Sequence, residues 1–207
     1  MRAALAIVFS IIGSGAAFAA PDQTIPLGPG STIYWTSAYE GGTDKFQERF
    51  IHAGEDFDLY RTDGDGDASD YFALFSGIYF TTCDTEMPTA DERAQLAALW
   101  PLTEGASVEI STGDGAKYEV GAPAPTFLMG KTRAAHVIEG TYFGEDASRE
   151  TLTILEDLPF TVGIQWEDGG KDTVTLITQP DAVASTMVDT DLIGNCASLM
   201  NTQTDKK

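Results

Sequence analysis

Between residues 160 and 166 apolar and polar side chains take turns: Phe160, Val162, Ile164 and Trp166 share one parity, and Thr161, Gly163 and Gln165 share the other. A period of two is that of a strand with one buried face. Val108 and Ile110, then Tyr118 and Val120, repeat it on either side of Thr112-Gly113-Asp114-Gly115, a hairpin-turn sequence. Val174 and Leu176 follow Asp168-Gly169-Gly170 in the same way. Segments 32–37, 45–52, 57–62 and 71–82 are rich in aromatic and β-branched residues and are parted by Gly/Asp clusters. About nine short strands at this spacing predict an all-β fold, an antiparallel meander forming a barrel or sandwich.

One short packed helix is marked at 89–100. Thr89 and Glu92 have the spacing of a capping box, and Leu96, Leu99 and Trp100 form an apolar stripe. Pro101 closes it, because the residue before a proline is pushed out of helical geometry. A weaker helix is expected at 181–187. The tail 201–207 offers nothing to bury and is expected to be disordered. Pro26-Leu27-x-x-Gly30-Ser31-Thr32-Ile33 recurs 75 residues on as Pro101-Leu102-x-x-Gly105-Ala106-Ser107-Val108, and Asp67-Ala68-Ser69 recurs as Asp146-Ala147-Ser148. These echoes suggest an internal duplication of two β halves, 24–88 and 101–178, within a single domain spanning 20–200. Chance likeness between glycine-rich strand openings explains the same echoes.

Leu99-Trp100-Pro101-Leu102-x-x-Gly105-x-x-Val108, with the later strand ending Ile164-Gln165-Trp166-Glu167, resembles a pattern of uncharacterised exported β-rich bacterial envelope proteins. Ala124-Pro125-Thr126-Phe127 stands nearest to their Pro-Ala-Gly-x-Phe turn, without its glycine. The resemblance covers at most residues 95–178. It implies a β-fold and an envelope location, and no activity.

The first residues point the same way on independent grounds. Arg2 precedes an apolar run at 3–12, and Ala17-Phe18-Ala19 places alanines where a signal peptidase reads. Residues 1–19 are therefore expected to be a cleaved signal peptide. The run is shorter than the roughly 20 residues that span a bilayer, so the product is expected to be soluble, not membrane-spanning, and periplasmic or extracellular.

The formal net charge is −20, and losing Arg2 takes it to −21. Such a polyanion repels phosphate backbones, which argues against nucleic acid as a partner, and it repels anionic lipid headgroups too. Cys83 and Cys196 are the only cysteines, and in an exported chain they are expected to form one structural disulfide.

Four carboxylates, Asp63, Asp65, Asp67 and Asp70, alternate through a glycine-rich turn. Calcium wants several oxygens converging at about 2.3–2.6 Å, and such a loop supplies them. It is not an EF-hand: Ala68 stands where the turn glycine belongs and Leu74 where the bidentate Glu belongs. A solvated acidic hairpin turn explains the same residues. His52-x-x-Glu55 and His136-x-x-Glu139 share a spacing, but positions three apart on a strand face opposite ways. Gly130-Lys131-Thr132 lacks the first glycine of a phosphate loop, since Pro125 holds that place. No nucleophile elbow or zinc helix is present.

Aromatic residues crowd the first half, as core filling or as the lining of a ligand cavity. Tyr34 and Trp35 are adjacent, so one ring must leave the principal core, which marks that pair as a contact surface for a ligand or partner. Three functions follow in order. The first is a non-catalytic exported domain binding a small molecule, lipid or glycan, whose sign is an apolar cavity. The second is a structural or protein-interaction module of the envelope, whose sign is an exposed aromatic patch. The third is a carboxylate-dependent hydrolase, which needs a cleft holding two acids about 5–9.5 Å apart, one with a raised pKa.

Overall fold

The alternating segments form strands. The computed structural model of the chain describes residues 25–62, 70–144, 147–180 and 193–201. The signal segment, Asp63, Asp65, Asp67, the 181–187 helix and the tail beyond 201 lie outside them, as do Ala68, Ser69 and Asp146 of the second sequence echo. The first run is β1 (Thr32–Tyr39), β2 (Gly42–Ala53), β3 (Asp58–Thr62), β4 (Tyr71–Phe75) and β5 (Tyr79–Thr82), followed by α1 (Ala90–Ala97). The second is β6 (Ser107–Ile110), β7 (Ala116–Pro123), the small hairpin β8 (Thr126–Leu128) and β9 (Lys131–Arg133), then β10 (Ala135–Tyr142), β11 (Arg149–Leu155), β12 (Thr161–Trp166) and β13 (Lys171–Ile177). A short α2 (Cys196–Asn201) follows. Thirteen described strands replace the nine expected: the turn at Ser76-Gly77 divides the run 71–82 into β4 and β5, and the stretch 126–155, outside every segment expected to be a strand, holds β8 to β11.

Eleven strands make one antiparallel sheet in the order β5-β4-β3-β2-β1-β13-β12-β11-β10-β7-β6. Strands consecutive in the sequence lie side by side in it, apart from β5 and β6 at its two edges and the β8–β9 excursion between β7 and β10, and the last strand returns to pair with the first: Ile33 lies opposite Ile177. The strands of 24–88 and 101–178 thus share one sheet through the β1–β13 ladder. The topology is that of an up-and-down barrel left open at one seam, between β5 and β6.

Two devices fill the seam. The first is α1, whose Leu96 packs with Leu99 of the following turn against Val108 and Ile110 of β6. Its capping box forms, with Thr89 Oγ1 accepting from the Glu92 amide at 3.3 Å and Glu92 Oε2 accepting from the Thr89 amide at 2.8 Å. The helix ends at Ala97, short of the 100 expected, and Leu99 and Trp100 continue as tight turns on Leu96 and Ala97. Glu92 does more than cap. Its Oε1 accepts from the amides of Ser111 (2.6 Å) and Thr112 (3.0 Å), tying the helix to the β6–β7 turn. The second device is the disulfide from Cys83, just past β5, to Cys196 of α2, with Cα atoms 5.1 Å apart.

The edge leaf rolls inward. Tyr71, Ala73 and Phe75 of β4 pack with Tyr118 and Ile138 of the far strands. Phe72 and Leu74, on its other face, pack with Trp35, Phe160 and Val174. A strand covered on both faces reads as an apolar run, which is why 71–75 does not alternate. The same contact explains β12: Thr161, Val162 and Gly163 are all buried where the β4–β5 turn abuts, and Thr161 Oγ1 donates to the Gly77 carbonyl at 2.6 Å. No helix among the described residues is long and apolar enough to cross a membrane.

Candidate functional site

The roll leaves a hollow of about 240 Å³ between the β4–β5 leaf and the β1–β13–β12 wall. Pairing fixes which side chains reach it. In β1, Ile33 and Trp35 share the inner face, and Trp35 lies opposite Phe46 of β2, their rings stacked at 5.8 Å. Two residues along from Phe46, Glu48 is brought to the same face by the strand period. The leaf contributes Phe72, Leu74, Ile78 and Phe80. The far side is Leu152, Ile164, Trp166 and Asp172, with Ile164 opposite both Leu152 and Asp172 in the ladders. Phe46 and Phe80, each 38% exposed, flank the way in.

Two carboxylates interrupt this apolar lining, and each is held by an indole. Trp35 Nε1 donates to Glu48 Oε2 at 2.8 Å, and Trp166 Nε1 donates to Asp172 Oδ2 at 3.2 Å. Asp172 Oδ1 is buried and takes no hydrogen bond from a described residue. Burial pushes the Glu48 carboxyl up, the Trp35 bond pulls it down and the Asp172 charge pushes it up again, leaving it at about 7. Burial also raises Asp58, on β3, to about 6.

A third inward acid stands outside the hollow. Glu150 lies opposite Trp166 and accepts from Tyr142 Oη at 2.6 Å, while Tyr118 Oη donates to Tyr142 at 3.0 Å. Burial lifts Glu150 to about 7 against the Tyr142 bond.

The residues singled out by sequence fare differently. Tyr34 and Trp35 part as adjacent strand residues must. Trp35 turns into the hollow at 5% exposure, and Tyr34 lies outside at 37%, opposite the exposed Leu176. Cys83 and Cys196 are bonded. Of the calcium loop only Asp70 is described, its carbonyl accepting from Thr62 Oγ1 at 3.2 Å. His136 sets Nε2 3.4 Å from Glu156 Oε1, not toward Glu139, whose carboxylate accepts from Thr151. His52 lies on β2 beside the Phe57 ring. Among the described residues no group of three His, Cys, Asp or Glu side chains is arranged to hold a metal.

Glu48, Asp172 and Glu150 are the residues that sequence reading missed, and of Glu92 it gave the cap on Thr89 but not the bonds to Ser111 and Thr112. One signal was there: Glu48 sits on the parity of Phe46 and Phe50, and Glu150 on that of Leu152 and Ile154. An acid in the apolar register of a strand is the mark of a buried carboxylate.

No protein-family model matches the chain, and no curated protein matches it. Among solved structures it is similar to the hypothetical lipoprotein YmcC from Escherichia coli, at 12% identity and a TM-score of 0.44, over 77% of this chain and 92% of that one. A putative exported protein with a YmcC-like fold from Bacteroides fragilis matches at 9% identity and a TM-score of 0.40, over 75% of this chain and 98% of that one. The MucA/MucB complex of Pseudomonas aeruginosa matches at 11% identity and a TM-score of 0.36, over 76% of this chain and 55% of that one.

Proposed function

We propose that the chain is an exported, non-catalytic β-domain that binds a small apolar molecule in the hollow between the β4–β5 leaf and the β1–β13–β12 wall. The observation that carries this reading is the hollow itself, lined by Trp35, Phe72, Leu74, Ile164 and Trp166 and opening beside Phe46 and Phe80. Apolar walls with a few placed polar groups are the usual make-up of a small-ligand site. At about 240 Å³ it is smaller than the roughly 300–1,000 Å³ of drug-sized sites, so the ligand is compact or leaves part of itself outside. Export is supported by the signal-like start at 1–19 and by a disulfide that an oxidising compartment preserves.

A hydrolytic reading has one observation in its favour: Glu48 and Asp172 both line the hollow, with Glu48 lifted to about 7. Binding is favoured because each carboxylate already has an oxygen committed to an indole N–H.

Native mass spectrometry of protein purified from its own export compartment tests the reading. The expected result is a retained small organic adduct that leaves on gentle activation, and that is absent from a Leu74→Trp variant with a filled hollow. Wild-type protein that stays free of adduct, and takes up neither added phenylbutanol nor added phenylbutylamine, would remove it.

A further inference from the structure

We propose that the hollow receives a cation: a protonated amine carried on an apolar or aromatic body, with its ammonium set between Glu48 and Asp172. This rests on the hollow being a binding site and adds the charge of what enters.

Carboxylates in an apolar wall are costly unless something pairs them. The protein supplies one indole N–H to each, and both of those donors are neutral. Asp172 Oδ1 is left buried with no described donor, and the Asp172 charge pushes Glu48 toward its neutral form. An ammonium answers all three conditions at once. It carries three N–H donors, it is positive, and it is compact enough to enter the hollow that both carboxylates line.

The rest of the lining fits the same guest. Trp35, Phe46, Phe72, Phe80 and Trp166 offer aromatic surface. Aromatic faces attract cations by about 0.5–2 kcal/mol and pack well against an apolar body. An anion would meet two like charges at the same place. A neutral alcohol could donate one hydrogen bond to Asp172 Oδ1 and leave the repulsion untouched. The net charge of −20 also enriches cations around the molecule.

The experiment is isothermal calorimetry on the intact mature protein at low salt and about pH 8, with three probes sharing one phenylbutyl body: the amine, the alcohol and the carboxylate. The amine is expected to bind at least ~10-fold tighter than the alcohol, and the carboxylate weakest. Glu48→Gln and Asp172→Asn should each bring the amine down to the alcohol's affinity while the alcohol still binds. Glu109→Gln removes an exposed charge from β6 and should leave the preference intact. An amine no tighter than a well-bound alcohol would overturn the charge inference and spare the site. A preference lost equally in Glu109→Gln would overturn it as a long-range field effect. Binding of none of the three probes would overturn both readings.

Discussion

Gly77 and Pro159 touch backbone to backbone: a Cβ on Gly77 would stand 2.2 Å from the Pro159 carbonyl carbon, and Gly77 has φ of +72°. This contact seats the tip of the β4–β5 hairpin on the start of β12, which closes one end of the hollow. Gly77→Ala must both strain the backbone and push the hairpin away. We expect a loss of at least ~3 kcal/mol, read from urea midpoints. Gly113→Ala is the control, with φ of +65° and nothing within 4 Å of a new Cβ; it should cost only ~1–2 kcal/mol. Equal losses would mean the hairpin is not held there.

Glu92 holds helix to sheet through the Ser111 and Thr112 amides, the Thr112 hydroxyl and the Thr89 cap. Burial pushes its carboxyl up, but the bond from Thr112 and those from Thr89 and Ser111 outweigh this and hold it at about 2. A folded value below the unfolded 4.5 stabilises above pH 4.5, and that stability is lost as pH falls from 4.5 toward 2. Glu92→Gln should cost ~2–3 kcal/mol at neutral pH, since its amide NH₂ meets donors, and the variant should lose less than wild type on acidification.

Glu48, Asp58 and Glu150 carry the opposite sign. Their folded values of about 7, 6 and 7 lie above the unfolded 4.5, 3.8 and 4.5. Each favours the fold fully below its unfolded value and loses that contribution as pH rises through its folded one. Thermal midpoints should therefore fall between about pH 5 and pH 8. Self-repulsion of the acidic surface acts in the same direction, but salt screens it. The decline should persist at high salt and flatten in a Glu48→Gln, Glu150→Gln double variant. An unchanged slope in that variant would contradict the buried-acid account.

The Cys83–Cys196 bond closes a loop across a separation of 113 residues. A loop of that length is worth up to ~4–5 kcal/mol by chain entropy. Replacing both cysteines by alanine should cost a large part of this. It should also release 193–201 from the seam, where Asn195 now bonds the Cys83 and Thr85 carbonyls. Limited proteolysis would show that as early cutting near residue 193 while the sheet stays intact.

Much of the architecture was legible because short-range rules governed it. The turns at 112–115 and 168–170 join the strands they were expected to join, and Val108, Ile110, Tyr118 and Val120 face inward in register. Other features depended on contacts distant in sequence. The inward roll of β3–β5 buries both faces of β4, and the closure of β13 on β1 brings residue 177 to residue 33. The first leaves only the unbroken apolar run at 71–75, which does not say what covers it, and the second leaves no local trace. The pocket acids fell between these cases. Their parity was visible, but among 32 acidic residues no local feature said which would meet a partner strand's tryptophan.

The site is tested most directly by proton–carbon spectra of the methyl groups during titration with phenylbutanol. Shifts are predicted at Leu74, Ile78, Leu152 and Ile164, together with the indole signals of Trp35 and Trp166, while Leu96 and Leu199 at the seam stay fixed. Shifts confined to Leu176 beside Tyr34 on the outer face, or no saturable shift at all, would contradict the account.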